Sequence, residues 1–535
     1  MFLSNAHILG AVLFTPAVGA AVLLFLPRAR ARATRIIALG FGCLTILNAL
    51  PLLWRFDPSS NLLFQCIADA EWIPSIGARY TLGIDGISLL LVMLTAVLGM
   101  AALAASWVEP GRERSRCALL LLLEFCLLGV FLSLDFVLFY FFWEMMLVPA
   151  YFLIVNRGEG PAARAGMKFF VYTLAGSVLM LLAIAAVWHS RQTFDMREVL
   201  AHPFGAADAW HAQKWIFWGF FLAFAIKLGL FPFHTWLLDA HAESPTEASL
   251  LLAGASLNMG LYGFLRVLLP MLPEATARYH VPIMILAVIS IVYGGFLCLA
   301  QKDSKRLIAC ASIPQLGFCA LGIFALTPLG IAGGVVQMIS QGIVIAALFL
   351  IFDSLSARRG TPMIEGLRGA PRETPGLAAF YVLFTLAAIG VPVFSAFAGE
   401  FAIVRGLMER YSIFAACAAF GILLFAATLL WLYQRIAFGE SPADLAPSPR
   451  PLGRPEWAVL LPLAALAIWI GVFPQPFFRA VEAPVKQLVA VVNPGYYVNR
   501  SALDRSGNGP ATSVRASQSP PPSRTAVAKA VFGGR

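Results

Sequence analysis

Three ionisable side chains stand inside runs of apolar residues where water would be scarce. Glu144 lies in Phe139-Tyr140-Phe141-Phe142-Trp143-Glu144-Met145-Met146-Leu147, and Lys227 lies in Phe221-Leu222-Ala223-Phe224-Ala225-Ile226-Lys227-Leu228-Gly229. Glu400 follows Phe394-Ser395-Ala396-Phe397-Ala398-Gly399, and Glu124 is a fourth, less distinctive case. A charge at the centre of a membrane helix costs roughly 2.5–3.5 kcal/mol on insertion scales, so each needs a reason. One reading is a structural ion pair between Glu144 and Lys227. Desolvation offsets most of the Coulomb gain of a buried pair, which makes it a poor stability device. The other reading is a proton relay. Burial penalises a charged ammonium and a nearby carboxylate favours it, so such a lysine loads and releases a proton as its partner approaches or withdraws.

Helix breakers stand beside two of these charges. Pro232 lies shortly after Lys227 in Gly229-Leu230-Phe231-Pro232-Phe233-His234, and Pro392 lies shortly before Glu400 in Gly390-Val391-Pro392-Val393-Phe394. Proline inside a span frees backbone groups that only protein or water can satisfy. A lone proline usually just kinks a membrane helix, but two breaks, each beside a mid-membrane charge, form the pattern of ion transporters.

The elements that must carry these residues follow from composition. Of 535 residues, 60% are apolar and 12% charged, against roughly 45–50% and about 25% in soluble domains. The apolar residues fall in stretches of about 18–24, enough to cross a ~30 Å hydrocarbon core. These lie near 8–26, 35–54, 84–107, 117–134, 136–155, 168–188, 215–236, 246–268, 281–300, 306–324, 329–352, 376–400, 411–434 and 456–474. The chain therefore reads as an all-α polytopic membrane protein of about 14 transmembrane helices. Its segments are N-terminal spans over 1–110, a core of spans four to twelve over 111–405, and two C-terminal spans over 406–480. A polar tail over 500–535, with Ser517-Gln518-Ser519-Pro520-Pro521-Pro522-Ser523, is expected to be disordered. The longest connections, near 55–83 and 189–214, have room for short interfacial helices. Glu144, Lys227 and Glu400 are expected on neighbouring helices at bilayer depth, facing one another.

The net charge of +10 does not imply nucleic acid, because the positions of the charges assign them another role. Loops alternate between roughly twenty and roughly nine Lys and Arg in total on the two sides, the basic set including Arg112, Arg114, Arg116, Lys302, Lys305, Arg306, Arg358, Arg359, Arg368 and Arg372. This asymmetry orients the chain with its N-terminus outside and an even number of crossings. Arg28, Arg30, Arg32 and Arg35 follow the first apolar run, which marks it as a retained span and not a cleaved signal. Eight scattered cysteines have neither zinc nor iron–sulfur spacing. There is no Gly-rich nucleotide loop in a strand–turn–helix context.

Several segments together resemble one family, the antiporter-like membrane subunits of respiratory complex I (NADH-quinone oxidoreductase). Tyr80-Thr81-Leu82-Gly83-Ile84-Asp85-Gly86-Ile87-Ser88-Leu89 looks like the opening of their third helix, and Phe142-Trp143-Glu144-Met145-Met146-Leu147-Val148-Pro149 like their helix-five glutamate motif. The segment from Lys227 through Phe233-His234-Thr235-Trp236-Leu237-Leu238-Asp239-Ala240-His241 is similar to their broken seventh helix and the loop after it. Gln301-Lys302-Asp303-Ser304-Lys305-Arg306 and Gly399-Glu400-Phe401 complete the set, which runs in order over roughly residues 80–405. Asp239-Ala240-His241 and Leu261-Tyr262-Gly263-Phe264-Leu265-Arg266 favour the M-type subfamily over its L- and N-type sisters.

The resemblance implies an antiporter-like fold of two inverted repeats with discontinuous helices 7 and 12. It also implies a proton-translocating subunit of a bacterial inner-membrane complex whose partners are L- and N-type subunits, lipid, and protons with water. NADH, FMN, iron–sulfur clusters and quinone would be bound by other subunits, leaving this chain without a cofactor, metal or redox catalysis of its own. Glu144 and Lys227 match the input-side pair, and Glu400 the residue that hands protons outward. A multi-subunit cation/proton antiporter shares the helix-five and helix-seven motifs and is the alternative.

The central positions depart from the family pattern. Asn258, in Ala253-Gly254-Ala255-Ser256-Leu257-Asn258-Met259-Gly260, stands where a lysine is usual. Gln315 and Gln341 stand where histidines are common, and Val393 and Ala396 where glycines are. Amides orient water but do not titrate. Three outcomes are open: a water-borne channel between Lys227 and Glu400, a scaffold that no longer pumps, or a path partly taken over by His234.

Overall fold

The computed structural model describes residues 5–27, 31–60, 62–107, 113–155, 160–205, 208–439 and 451–497. Arg28, Arg30 and Arg112 and the polar tail lie outside the described residues. The chain opens with α1 (Asn5–Phe25) and α2 (Ala31–Arg55), then a hairpin of β1 (Gln65–Ile73) and β2 (Ala78–Ile84). Next come α3 (Gly86–Ala105), α4 (Glu113–Leu132), α5 (Phe136–Met145), α6 (Leu147–Val155), α7 (Pro161–Arg191) and the short α8 (Met196–Ala201). α9 (Trp210–Leu228) and α10 (Thr235–Glu243) precede α11 (Thr246–Leu251), α12 (Asn258–Gly263) and α13 (Leu269–Met271). Two π-helical turns, Leu252–Ser256 and Phe264–Leu268, join the last three into one pass, Thr246–Met271. α14 (Pro273–Leu299), α15 (Ser304–Phe324), α16 (Pro328–Arg359), α17 (Ala370–Glu373), α18 (Pro375–Ala388), α19 (Ser395–Met408), α20 (Ser412–Ala437), α21 (Arg454–Val472) and α22 (Gln475–Val492) complete the described chain.

Twelve of these passes are long and apolar enough to cross a bilayer, α5 and α6 counting as one. The two remaining expected spans are the split pairs α9/α10 and α18/α19, so the discontinuities fall at the seventh and twelfth positions. Three passes, Thr246–Met271, α15 and α16, are wholly enclosed by the others, whereas α2 and α20 keep most of their surface outward. A helix apolar on every side belongs either in a protein core or against lipid, and the enclosed set forms the core.

The two halves repeat one another upside down. Asp135 caps α5 and Asp303 caps α15, each carboxylate accepting from amides of its own first turn. Beside the first cap, Phe136 N donates to Phe194 O and Met196 N to Leu134 O, both at 2.9 Å. Beside the second, Ser304 N donates to Pro362 O and Ile364 N to Lys302 O, again at 2.9 Å. The pass Phe136–Val155, α7, the split pair α9/α10, Thr246–Met271 and α14 lie between the two caps. That odd number sets the matching brackets on opposite faces of the membrane.

Two elements differ from expectation. The 55–83 connection holds a hairpin, not an interfacial helix, because Cys66 and Ala68 alternate inward along β1 and Gly77 turns the chain at φ 74°. The 189–214 connection does contain a short helix, α8. α22 was not anticipated, being too polar overall for a span. It buries Val481, Val485, Leu488, Val489 and Val492 along one face and pairs Glu482 with Lys486 on the other. It packs so closely on α3 that a Cβ at Gly86 would lie 1.7 Å from Ala480 O.

The hairpin is tied to α8 by charge. Arg197 bonds Asp69 at 2.8 Å and Asp195 at 2.5 Å, and Arg79 bonds Asp69 at 2.8 Å. Burial pushes the Asp69 carboxyl up, but the hydrogen bonds from Arg197 and Arg79 outweigh it and hold Asp69 below its ordinary value. The ionised form is therefore favoured in the folded protein. This contribution is full above the ordinary carboxylate value of about 4 and is lost as pH falls through the lowered one. Arg197→Ala should lower the protection factors of hairpin amides several-fold at neutral pH, measured by hydrogen exchange corrected for intrinsic rates. The unaltered protein should approach the variant only in acid.

Candidate functional site

Lys227 is built by the way α9 ends. Gly229 takes φ 72°, its N–H bonding Ala225 O and Ile226 O, and Leu230 N also returns to Ala225 O at 3.0 Å. This left-handed cap is one that glycine adopts without strain. The chain then passes through Pro232 before α10 resumes, and Trp236 Nε1 donates a second bond to the Ile226 carbonyl at 2.9 Å. Lys227, two residues before the cap, is 2% exposed. The C-terminal end of a helix carries partial negative charge, which suits an ammonium there. Its Nζ lies 3.5 Å from Met146 Sδ and 5.5 Å from the centre of the Phe169 ring.

Lys227 forms no ion pair with Glu144. The glutamate sits in the last turn of α5, half-buried, with the Ser177 and Tyr140 hydroxyls beside it, and its buried Oε1 has no protein donor. The reason is helical geometry. Residues two apart point to different faces, so Met146 turns toward Lys227 while Glu144 turns toward α7. The two charges feel each other through space, without a locked contact, which leaves the pair open to rearrangement.

Glu400 is seated by the matching break. α18 closes with Gly390 at φ 71°, and Val391 N returns to Leu386 O at 3.2 Å, the bond that Leu230 makes in α9. Pro392 follows, then Val393 at φ 90°. A β-branched residue in that region is strained by about 1–3 kcal/mol. Glu400 is buried in the second turn of α19, with Gln337 Nε2 3.5 Å from its Oε1. A Cβ at position 390 would lie 2.2 Å from Glu400 Oε2, and one at 399 would lie 2.6 Å from Gln337 Oε1.

Glu400 is not a neighbour of Glu144 and Lys227, contrary to expectation. Glu144 and Lys227 belong to the first repeat and Glu400 to the second, with the π-turned pass and α16 between them. Amides fill the interval. Asn258 Nδ2 donates to Gly254 O at 2.9 Å and Met338 O at 3.1 Å, and Gln341 Nε2 to Ala253 O at 3.3 Å. Gln315 Nε2 donates to Ala388 O at 3.4 Å, at the second break. In all three, and in Gln337, the amide oxygen is buried without a protein donor. The orientation is fixed chemically, because each NH2 faces an acceptor. What remains is a set of acceptors along α16 and its neighbours.

Gln337 was missed in the sequence, although it stands four residues before Gln341 and therefore on the same helical face. His241 enters the sequence reading only as part of the Asp239-Ala240-His241 segment, not as a site residue. It is buried against Phe349 with ring centres 5.2 Å apart, its Nδ1 unpartnered, and it senses the Lys227 charge. His234 stacks on Phe231 and meets Tyr293 edge-on, as a packed residue does. Glu124 is wholly buried on α4, both carboxylate oxygens without a protein donor, where a Cβ at Gly99 would meet it at 2.4 Å. The ion pairs Arg116–Glu247 at 2.8 Å, Lys305–Asp353 at 2.7 Å and Arg266–Asp85 at 2.7 Å are buried. Among the described residues, no group of three His, Cys, Asp or Glu is placed to hold a metal ion.

Inverted repeats, two broken helices and buried ionisable groups beside each break define an antiporter-like membrane protein. A family profile described as "NADH:quinone oxidoreductase/Mrp antiporter, TM" matches residues 133–425. NADH-quinone oxidoreductase subunit M of Rhodobacter capsulatus is 37% identical over 496 residues, covering 90% of this chain and 96% of the relative. NADH-ubiquinone oxidoreductase chain 4 of Chondrus crispus is 36% identical over 481 residues, covering 90% and 97%. Among solved structures, a chain of Thermus thermophilus respiratory complex I superposes with a TM-score of 0.80 at 32% identity, covering 90% of this chain and 99% of that one. A chain of the Mrp complex from Dietzia sp. shares the fold, with a TM-score of 0.80 at 19% identity over 92% and 99%. The chain belongs to the NADH:quinone oxidoreductase/Mrp antiporter transmembrane family.

Gly390→Ala should force a left-handed alanine into the Glu400 carboxylate. It should lower stability by about 1–3 kcal/mol, read as a fall in the thermal midpoint of the purified protein, while Gly360→Ala, at φ 71° with open space around it, should lose only the backbone part.

Proposed function

We propose that this chain is a proton-carrying membrane-arm subunit of an NADH-quinone oxidoreductase, with its N-terminus outside and L- and N-type subunits as neighbours. Electron transfer from NADH to quinone takes place in other subunits, which bind the FMN, iron–sulfur clusters and quinone. This chain couples to it by moving protons. The relatives named above support the assignment to such a complex.

One observation carries the transport reading: four buried amide oxygens, on Asn258, Gln341, Gln337 and Gln315, have no protein donor. Leaving such a group unsatisfied costs about 1–3 kcal/mol, and water hydrogen-bonded along the row removes that cost. A lining of acceptors also favours hydronium, which donates through all its hydrogens, over anions. Glu144 tunes the charge on Lys227 from beside α7. Lys227 releases its proton to the water chain, the amides hold that chain in line without titrating, and Glu400 takes the proton up at the second break. Pro232 and Pro392, with Gly229 and Gly390, keep the two charged turns free of continuous helix.

The non-titrating centre is also what a scaffold subunit would have, and proton translocation in vesicles containing the assembled complex separates the two. Lys227→Ala should abolish this subunit's share. Gln341→Leu keeps the side-chain bulk but removes the acceptor, and should slow translocation at least about tenfold, the effect of 1.4 kcal/mol on a barrier. Unchanged proton-to-electron ratios in both variants would leave the scaffold reading. Asn258→Lys should leave the ratio unchanged if the water path works, and a rise would mean the centre is defective as it stands.

A further inference from the structure

On the basic side of the molecule, an open cleft of about 390 Å³ lies where α20 ends, lined by Arg368, Trp431, Gln434, Arg435, Phe438 and Gly439. It is a built feature. Gly369 N bonds Ile436 O at 2.8 Å, while Arg372 bonds Ala437 O and Phe438 O, each at 3.0 Å. The turn before α17 is thereby fastened over the last carbonyls of α20, which brings Arg368 and Arg435 to the lining of one cleft. The Arg435 guanidinium carbon lies over the Trp431 ring, 4.6 Å from its centre, a cation–π contact. The only acid paired with Arg435 in the described residues is Glu365, at 3.7 Å and 79% exposed, a pairing that solvent leaves weak. Nearby, Arg358 and Arg359 pair with Glu456 and Glu373 at 2.8 and 2.9 Å, so Arg435 is the guanidinium on which the proposal rests.

We propose that this cleft binds the phosphodiester of an anionic phospholipid. Guanidinium forks match phosphate oxygens in pairs, and basic pockets at the membrane face between helices suit such headgroups. The surface beyond the cleft distinguishes a lipid from a free anion. Phe438 at the mouth is 64% exposed, and Leu430, Leu423 and Phe420 continue outward along one face of α20 at helical spacing, each about half exposed or more. Acyl chains lie along that stripe while Trp431 sits at headgroup depth, where its amphipathic ring is favoured. The proposal does not depend on proton transport.

The test uses the purified complex containing the full chain, delipidated and titrated with mixed micelles carrying phosphatidylglycerol or phosphatidylcholine, with inorganic phosphate as a third arm. Bound phospholipid is counted by native mass spectrometry. Phosphatidylglycerol should be retained in preference to phosphatidylcholine, and Arg435→Gln should weaken retention about tenfold, as losing a charge-assisted hydrogen bond does. Arg435→Lys, which keeps the charge but not the fork, should fall between them and shows that the site is still folded. Arg410→Gln, the same charge change at the far end of α20, should leave retention unaltered. Equal retention of the two lipids, or no loss in Arg435→Gln, would overturn the proposal. So would competition by inorganic phosphate as effective as that by phosphatidylglycerol, which would assign the cleft to a free anion.

Discussion

A helix broken inside a bilayer must hand its freed backbone groups to something other than lipid, and the rest of this fold answers to that requirement. The breaks after Lys227 and before Glu400 use one solution twice: a left-handed glycine, a bond returning five residues, then proline. Each break lies against enclosed helices, where Trp236 and the side chains of α15 and α16 can reach it. Burial against those helices covers the Lys227 and Glu400 side chains and lets the two repeats meet over a polar seam.

That seam is lined with amides, which do not titrate. A lysine at the centre would pass a proton by binding it. Asn258 and the three glutamines can only orient the carrier, since their NH2 groups are committed to backbone carbonyls or to Glu400. Lys227 and Glu400 place ionisable groups on either side of this seam, and the middle is a polar lining. Glu144 and Lys227 fit this division. Separated by the turn of α5 that directs Met146 at the lysine, they interact without locking.

Much of this was legible in the sequence, for reasons that can be stated. Long apolar runs interrupted by Lys227, Glu144 and Glu400 are unmistakable because charge inside lipid is so costly. Pro232 and Pro392 mark the breaks because no other residue removes a backbone donor. The mutual placement of the charges was not legible, since it depends on which helices are enclosed, and near-uniform apolarity gives no stripe from which to read that. Gln337 escaped because its meaning comes from Glu400, sixty-three positions away. The hairpin and α22 escaped because short strands and a half-polar helix leave weak marks beside spans of such high hydropathy.

The most direct test is a density map of the assembled complex at a resolution that shows ordered water. A connected file of waters, each within about 3 Å of an amide oxygen and running from Asn258 past Gln341 and Gln337 to Glu400, is the predicted result. A dry apolar seal anywhere between Asn258 and Glu400, present in every state of the working complex, would contradict it.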